Sequence, residues 1–127
     1  MVNDQAAMIS LIVSASDLPV PALIAAAGER ASWRFMEFFA ANIRNKNTRE
    51  AYSRAIGAFL AWCENCGLAF ETIEPIAVAA YIEQLLENGF AKPTVKQHLA
   101  AIRMMFDWMV TGGFLTVNPA AAVRGPK

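Results

Sequence analysis

Lys92-Pro93-Thr94-Val95-Lys96-Gln97-His98-Leu99-Ala100-Ala101-Ile102-Arg103-Met104-Met105-Phe106 is the stretch whose period decides the fold. Val95, Leu99, Ile102 and Phe106, continued by Met109, recur at three and four residues, the spacing of one helix face. The helix starts near Pro93-Thr94, where a proline costs nothing because first-turn amides have no intrahelical acceptor, and Gly112-Gly113 stops it. The preceding segment repeats the arrangement. Glu74-Pro75 opens a helix carrying Val78, Tyr81, Ile82, Leu85 and Leu86, which ends at Asn88-Gly89.

Upstream, Asn47-Thr48-Arg49-Glu50 reads as a capping box with Asn47 as the cap and Glu50 reaching back. Tyr52, Ile56, Phe59, Leu60 and Cys63 follow on one face, and Gly67 closes that helix in a left-handed conformation. Phe35, Phe38, Phe39 and Ile43 predict an earlier helix from Trp33 to about Ile43. Residues 1–32 read as an N-terminal arm, partly disordered or with a short helical piece at Ala22 to Ala27 weakened by Gly28. Asn118-Pro119 can start a short last helix through Val123. No segment alternates apolar and polar residues, and β-branched residues are sparse in the periodic segments, which argues against a sheet.

Composition fits a single packed domain: 127 residues, 56% hydrophobic and 17% charged. Cys63 and Cys66 are too few for a disulfide framework, so a cytoplasmic location is expected. The apolar stretch near Met8 to Val13 lacks the basic flank of a signal peptide, and no run approaches the roughly 20 residues that span a bilayer. No membrane partner is expected.

A formal net charge of zero speaks against a polyanionic partner until the charge is divided by segment. Arg44, Lys46, Arg49 and Arg54 face Glu50 alone between Asn42 and Arg54, and Lys92, Lys96 and Arg103 face no acid up to Arg103. Between these stretches, Glu64, Glu71, Glu74, Glu83 and Glu87 stand without a lysine or arginine. Both basic stretches include a helix start, where free amides and the positive end of the macrodipole favour phosphate oxygens. On a helical wheel, Lys92, Lys96 and Arg103 fall within about 40° of one another, a basic face expected to lie away from Leu99, Ile102 and Phe106. Thr94 and Gln97 in the same turns are side chains able to bond base edges while lysine and arginine hold phosphates. A solvated helix with ordinary surface charges explains the same pattern.

Asn47-Thr48-Arg49-Glu50-Ala51-Tyr52, Phe59, Trp62-Cys63, Lys92-Pro93-Thr94-Val95-Lys96-Gln97-His98-Leu99, Ile102-Arg103, Phe106, Trp108 and Asn118-Pro119 follow one another at distances that resemble the N-terminal core-binding domain of tyrosine recombinases of the phage-integrase and Xer type. The similarity covers about residues 33–127. It implies an all-α fold: a four-helix SAM-like orthogonal bundle with a short C-terminal fifth helix, over residues 33–124, with residues 125–127 starting a linker. It implies sequence-specific duplex DNA binding, the domain forming one jaw of a clamp on a recombination half-site. The DNA-contacting residues it points to are Lys46, Asn47, Thr48 and Arg49 on one side and Lys92, Thr94, Lys96, Gln97 and Arg103 on the other, and Arg44 of the first basic stretch is expected to join them. The partners it implies are the double-stranded DNA recombination site, a C-terminal catalytic domain of the same parent chain, and other recombinase protomers on the DNA.

The family's catalytic arginine, histidine and tyrosine set belongs to that C-terminal domain, so this chain is expected to be a fragment with no catalysis, no metal and no cofactor of its own. Tyr52 and Tyr81 sit on or beside apolar stripes, where a buried ring is the ordinary role. Cys63-Glu64-Asn65-Cys66 is half of a zinc motif at most, with His98 the one further nitrogen donor. The aromatic residues fall on apolar helix faces and suit a core better than a base-stacking platform. The alternative function is a helical protein–protein interaction module without DNA binding.

Overall fold

In the structure, a computed structural model describing residues 20–127, every regular element is helical: α1 (Ala22–Ala26), α2 (Glu29–Glu37), a π-turn (Phe38–Asn42), α3 (Lys46–Asn65), a 3-10 turn (Phe70–Thr72), α4 (Pro75–Glu87) and α5 (Lys92–Thr111). The expected arm lies outside the described residues up to residue 19. From Val20 onward the chain packs against the core, with Leu23 and Ile24 of α1 buried in it.

The periodic apolar positions are the buried ones. Val95, Leu99, Ile102, Phe106 and Met109 line the inner face of α5, joined by Ala101 and Met105. This helix packs against α2, α3 and α4, so it is the axis of the bundle. Phe59 of α3 meets Tyr81 of α4 edge-on at 5.1 Å and Phe106 at 6.1 Å, and Phe70 stacks on Phe106 at 5.6 Å. Burial pushes the Tyr81 hydroxyl and the Cys63 thiol both up to about 12, so neither ionises near neutral pH.

Helix ends follow the sequence punctuation with three corrections. At Gly67, φ is 77°, and the Gly67 amide donates to the Glu64 carbonyl while Leu68 donates to Cys63, the paired bonds of a left-handed cap. The first correction is that α2 opens at Glu29, not Trp33: Gly28, with φ 109°, breaks the chain there, and the charged Glu29-Arg30 pair hides the helix start from an apolar pattern. Secondly, Asn45 caps α3 where Asn47 was expected. Its side chain accepts from the Thr48 amide at 3.0 Å, and Asn47 lies inside the first turn. Thirdly, Asn118 to Val123 forms two hydrogen-bonded turns in place of the short C-terminal helix, with Ala121 donating to Asn118 and Val123 to Ala120, each at 3.2 Å.

Two arginines close the C-terminal end of α5. Arg34 donates to the Trp108 carbonyl through Nε at 3.0 Å and Nη2 at 2.7 Å, stacks 3.8 Å above the Trp108 ring, and has its own carbonyl bonded by Trp108 Nε1 at 2.9 Å. Arg30 donates to the Gly113 carbonyl at 3.1 Å. These cations sit where the helix dipole is negative. Gly112 belongs to the same arrangement, because a Cβ there would fall on the Arg34 guanidinium.

Candidate nucleic-acid interface

The α5 start is open. Ala91, its cap residue, has no side chain to accept from the first turn, and Pro93 has no amide, so the amides of Lys92 and Thr94 point outward without a helical acceptor. Lys92, Thr94, Lys96 and Gln97 are all exposed around them. At the α3 start, Arg44, Lys46, Asn47 and Thr48 are likewise exposed, and Asn45 occupies one amide only. Glu64, Glu71, Glu74, Glu83 and Glu87 are exposed on the C-terminal part of α3, the following 3-10 turn and α4.

Two of the sequence-predicted cations are engaged within the protein. Arg49 donates to the Ile43 carbonyl at 3.3 and 3.2 Å and to the Arg44 carbonyl at 3.2 Å, holding the connection between the π-turn and α3. Arg103 donates through Nε to the Ala120 carbonyl at 3.2 Å and through Nη2 to the Val123 carbonyl. Asn118 completes that arrangement by donating to the Arg103 carbonyl at 3.1 Å and to Asp107 at 2.7 Å.

The separation of a basic from an apolar face on α5 is corrected. Leu99 follows Lys96 by three residues and precedes Arg103 by four, so it lies in the same stripe, and it is buried. The cover comes from the C-terminal segment: a Cβ on Gly125 would stand 3.4 Å from Leu99 Cδ2 and 3.8 Å from Lys96 Cγ. The outward strip of α5 therefore runs through Lys96, Gln97, Ala100, Met104, Asp107 and Thr111, displaced around the helix from the stripe read off the wheel.

α2 runs back along the C-terminal half of α5. Arg30 contacts Gly113, Arg34 contacts Trp108, and the π-turn then places Asn42 in a depression of about 230 Å³ with Met104, Asp107, Trp108 and Thr111. Lys46 begins α3 four residues later. Arg54, exposed and seven residues after Asn47, extends the cationic face of the α3 start. Sequence reasoning counted its charge without assigning it to the site, although the seven-residue spacing was the available signal.

His98 lies on the other flank of α5, its ring 5.9 Å from Phe90, with Nδ1 buried and without a hydrogen-bond partner among the described residues. Burial lowers its pKa below the usual value near 6.5. No helix among the described residues is long and apolar enough to cross a membrane.

An all-helical bundle with cationic helix starts defines a class, and comparison with known families identifies it. Residues 34–112 match the phage integrase N-terminal SAM-like domain, and the chain belongs to that family. Among its relatives, tyrosine recombinase XerD of Chlorobaculum tepidum is 32% identical over 81 residues, 64% of this chain and 27% of the relative. Tyrosine recombinase XerC of Xylella fastidiosa (strain M23) is 30% identical over 84 residues, 65% and 29% of the respective chains. A putative tyrosine recombinase of Caldanaerobacter subterraneus is 27% identical over 94 residues, 73% and 32% of the two. The matched region thus spans less than a third of these relatives' length. No solved structure matches significantly.

Proposed function

We propose that this chain binds duplex DNA sequence-specifically as the core-binding part of a site-specific tyrosine recombinase, one jaw of a clamp on a recombination half-site. Cutting and rejoining belong to a separate C-terminal catalytic domain of the parent protein, with other protomers bound to the same DNA. The observation that carries this reading is the pair of cationic helix starts, that of α5 uncapped and that of α3 capped at one amide. Each offers unbonded amides and exposed lysine within one turn, the arrangement that receives phosphate oxygens, and neither first turn carries an acid. Family membership supplies independent support.

The direct contacts in this proposal are Arg44, Lys46, Asn47, Thr48, Lys92, Thr94, Lys96 and Gln97. Arg49 acts one step back, by fixing the backbone that leads into α3, whereas Arg103 holds the C-terminal segment that covers Leu99. Four cations on phosphates give a salt slope of about −3.6, so affinity for a labelled random-sequence duplex should fall about a hundredfold between roughly 50 and 200 mM salt. Fluorescence anisotropy measures it. Absence of duplex binding at the lower salt would sink the proposal.

A protein-interaction role has one specific observation in its favour. A groove of about 520 Å³ between α4 and the C-terminal segment is lined by Pro75, Ile76, Ile82, Leu86 and Val123, and Ile76 is 78% exposed. Under that reading the same titration shows no duplex binding, and substitution of Ile76 removes the retained partner.

A further inference from the structure

The α5 strip changes character along its length. Lys92 and Lys96 make its N-terminal end positive, Gln97, Ala100 and Met104 make its middle neutral, and Asp107 makes the far end negative. Met104 is 37% exposed although its neighbours Met105 and Phe106 are fully buried. Beside it, Asn42 has a side-chain amide with no hydrogen bond among the described residues, in the same depression. Asp107 is held there by Asn118 at 2.7 Å.

We infer that Met104 and Asn42 read an A·T base pair through the major groove, Met104 against the thymine 5-methyl group and the Asn42 amide on the adenine edge. The inference rests on the duplex-binding reading above. Phosphates cannot lie against Asp107, so the backbone must pass on the lysine side and the strip's middle faces base edges. In the major groove the thymine methyl is the one apolar feature of a base edge, and asparagine matches adenine N6 and N7 with two bonds. Eight residues separate Lys96 from Met104, about 12 Å of helix axis, so a Lys96 seated on one backbone leaves Met104 within the roughly 12 Å width of the groove.

The test begins by selecting bound duplexes from a random-sequence pool with the full chain. Thymines of the selected duplex are then replaced one at a time by deoxyuridine, which lacks the methyl group. At one position, wild-type affinity should fall about fourfold, the equivalent of one methyl group returned to water. In Met104→Ala the same replacement should change affinity less than about 1.5-fold, and Asn42→Ala should relax the preference for adenine on the opposite strand. Met104→Ala should melt like wild type, because the side chain lies outside the core. The inference fails if duplexes are selected but wild type tolerates every replacement, or if Met104→Ala keeps the methyl penalty. A pool yielding no bound duplex at low salt removes the duplex-binding reading itself, and this inference with it.

Discussion

Arg103→Ala separates a phosphate contact from a structural clasp. In the first role its loss weakens duplex binding and leaves the fold intact. In the structure, its guanidinium holds the Ala120 and Val123 carbonyls, and the segment so held covers Leu99. Hydrogen bonds from a charged donor contribute about 1.5 to 3 kcal/mol each at the upper end, and a half-buried guanidinium sits below that. Losing both bonds should cost about 2 to 3 kcal/mol, a fall in melting temperature of roughly 8 to 20 °C for a domain of this size. Urea unfolding measures the stability, and amide exchange at Ala121 and Val123 should accelerate before exchange in α3 does. Duplex affinity at a temperature where the variant is folded should change less than about twofold, compared with tenfold per 1.4 kcal/mol for a lost contact. The reasoning is refuted if stability stays within about 0.5 kcal/mol of wild type while affinity falls and the salt slope shallows by about one.

Lys96→Ala should give the mirror-image result: an unchanged melting curve, with duplex binding weakened and its salt slope reduced by about one in an anisotropy titration. Gly112→Ala should cost about 2 to 3 kcal/mol in urea unfolding by displacing Arg34 from the Trp108 carbonyl, and the double variant with Arg34→Ala should be little worse than Arg34→Ala alone. Stability should depend on pH through His98. Its folded pKa is depressed by burial, so as pH falls below about 6.5 the unfolded chain takes up the proton first, and stability drops until the folded state also protonates. Urea midpoints from about pH 8 to pH 5 should show this decline, and His98→Asn should flatten it; a wild-type profile level through that range contradicts the assignment.

The fold was legible because the helices are punctuated locally. Pro75, Pro93, Gly67, Gly89 and Gly113 act through their own backbone restrictions, and the buried positions of α5 follow a period that one helix alone dictates. The cap of α3 was harder, since Asn45 and Asn47 have the same capping chemistry. What separates them is the extended backbone at Ile43, φ −121° and ψ 107°, held by Arg49 from the following turn. The wheel placed the lysines but missed Leu99 between Lys96 and Arg103, and it carried no sign that residues 118–126 would lie there. That cover depends on Asn118 and Arg103 meeting across 15 residues, a tertiary match without periodicity. The π-turn escaped notice for a related reason: the adjacent Phe38 and Phe39 are both buried, which a regular helix would turn about 100° apart.

The Arg34 and Arg30 bracket on α5 has an electrostatic consequence at the opposite end of the same helix. A bare helix is a dipole whose two poles partly cancel at a distance. Here two guanidinium groups stand at the carbonyl end, Arg34 on the Trp108 carbonyl and Arg30 on that of Gly113 just past the helix, whereas the amide pole at Lys92 and Thr94 is left uncovered. Seen by an approaching polyanion, the start of α5 is then its attractive end and Asp107 its repulsive one, and a chain of zero net charge can still attract a duplex from one direction.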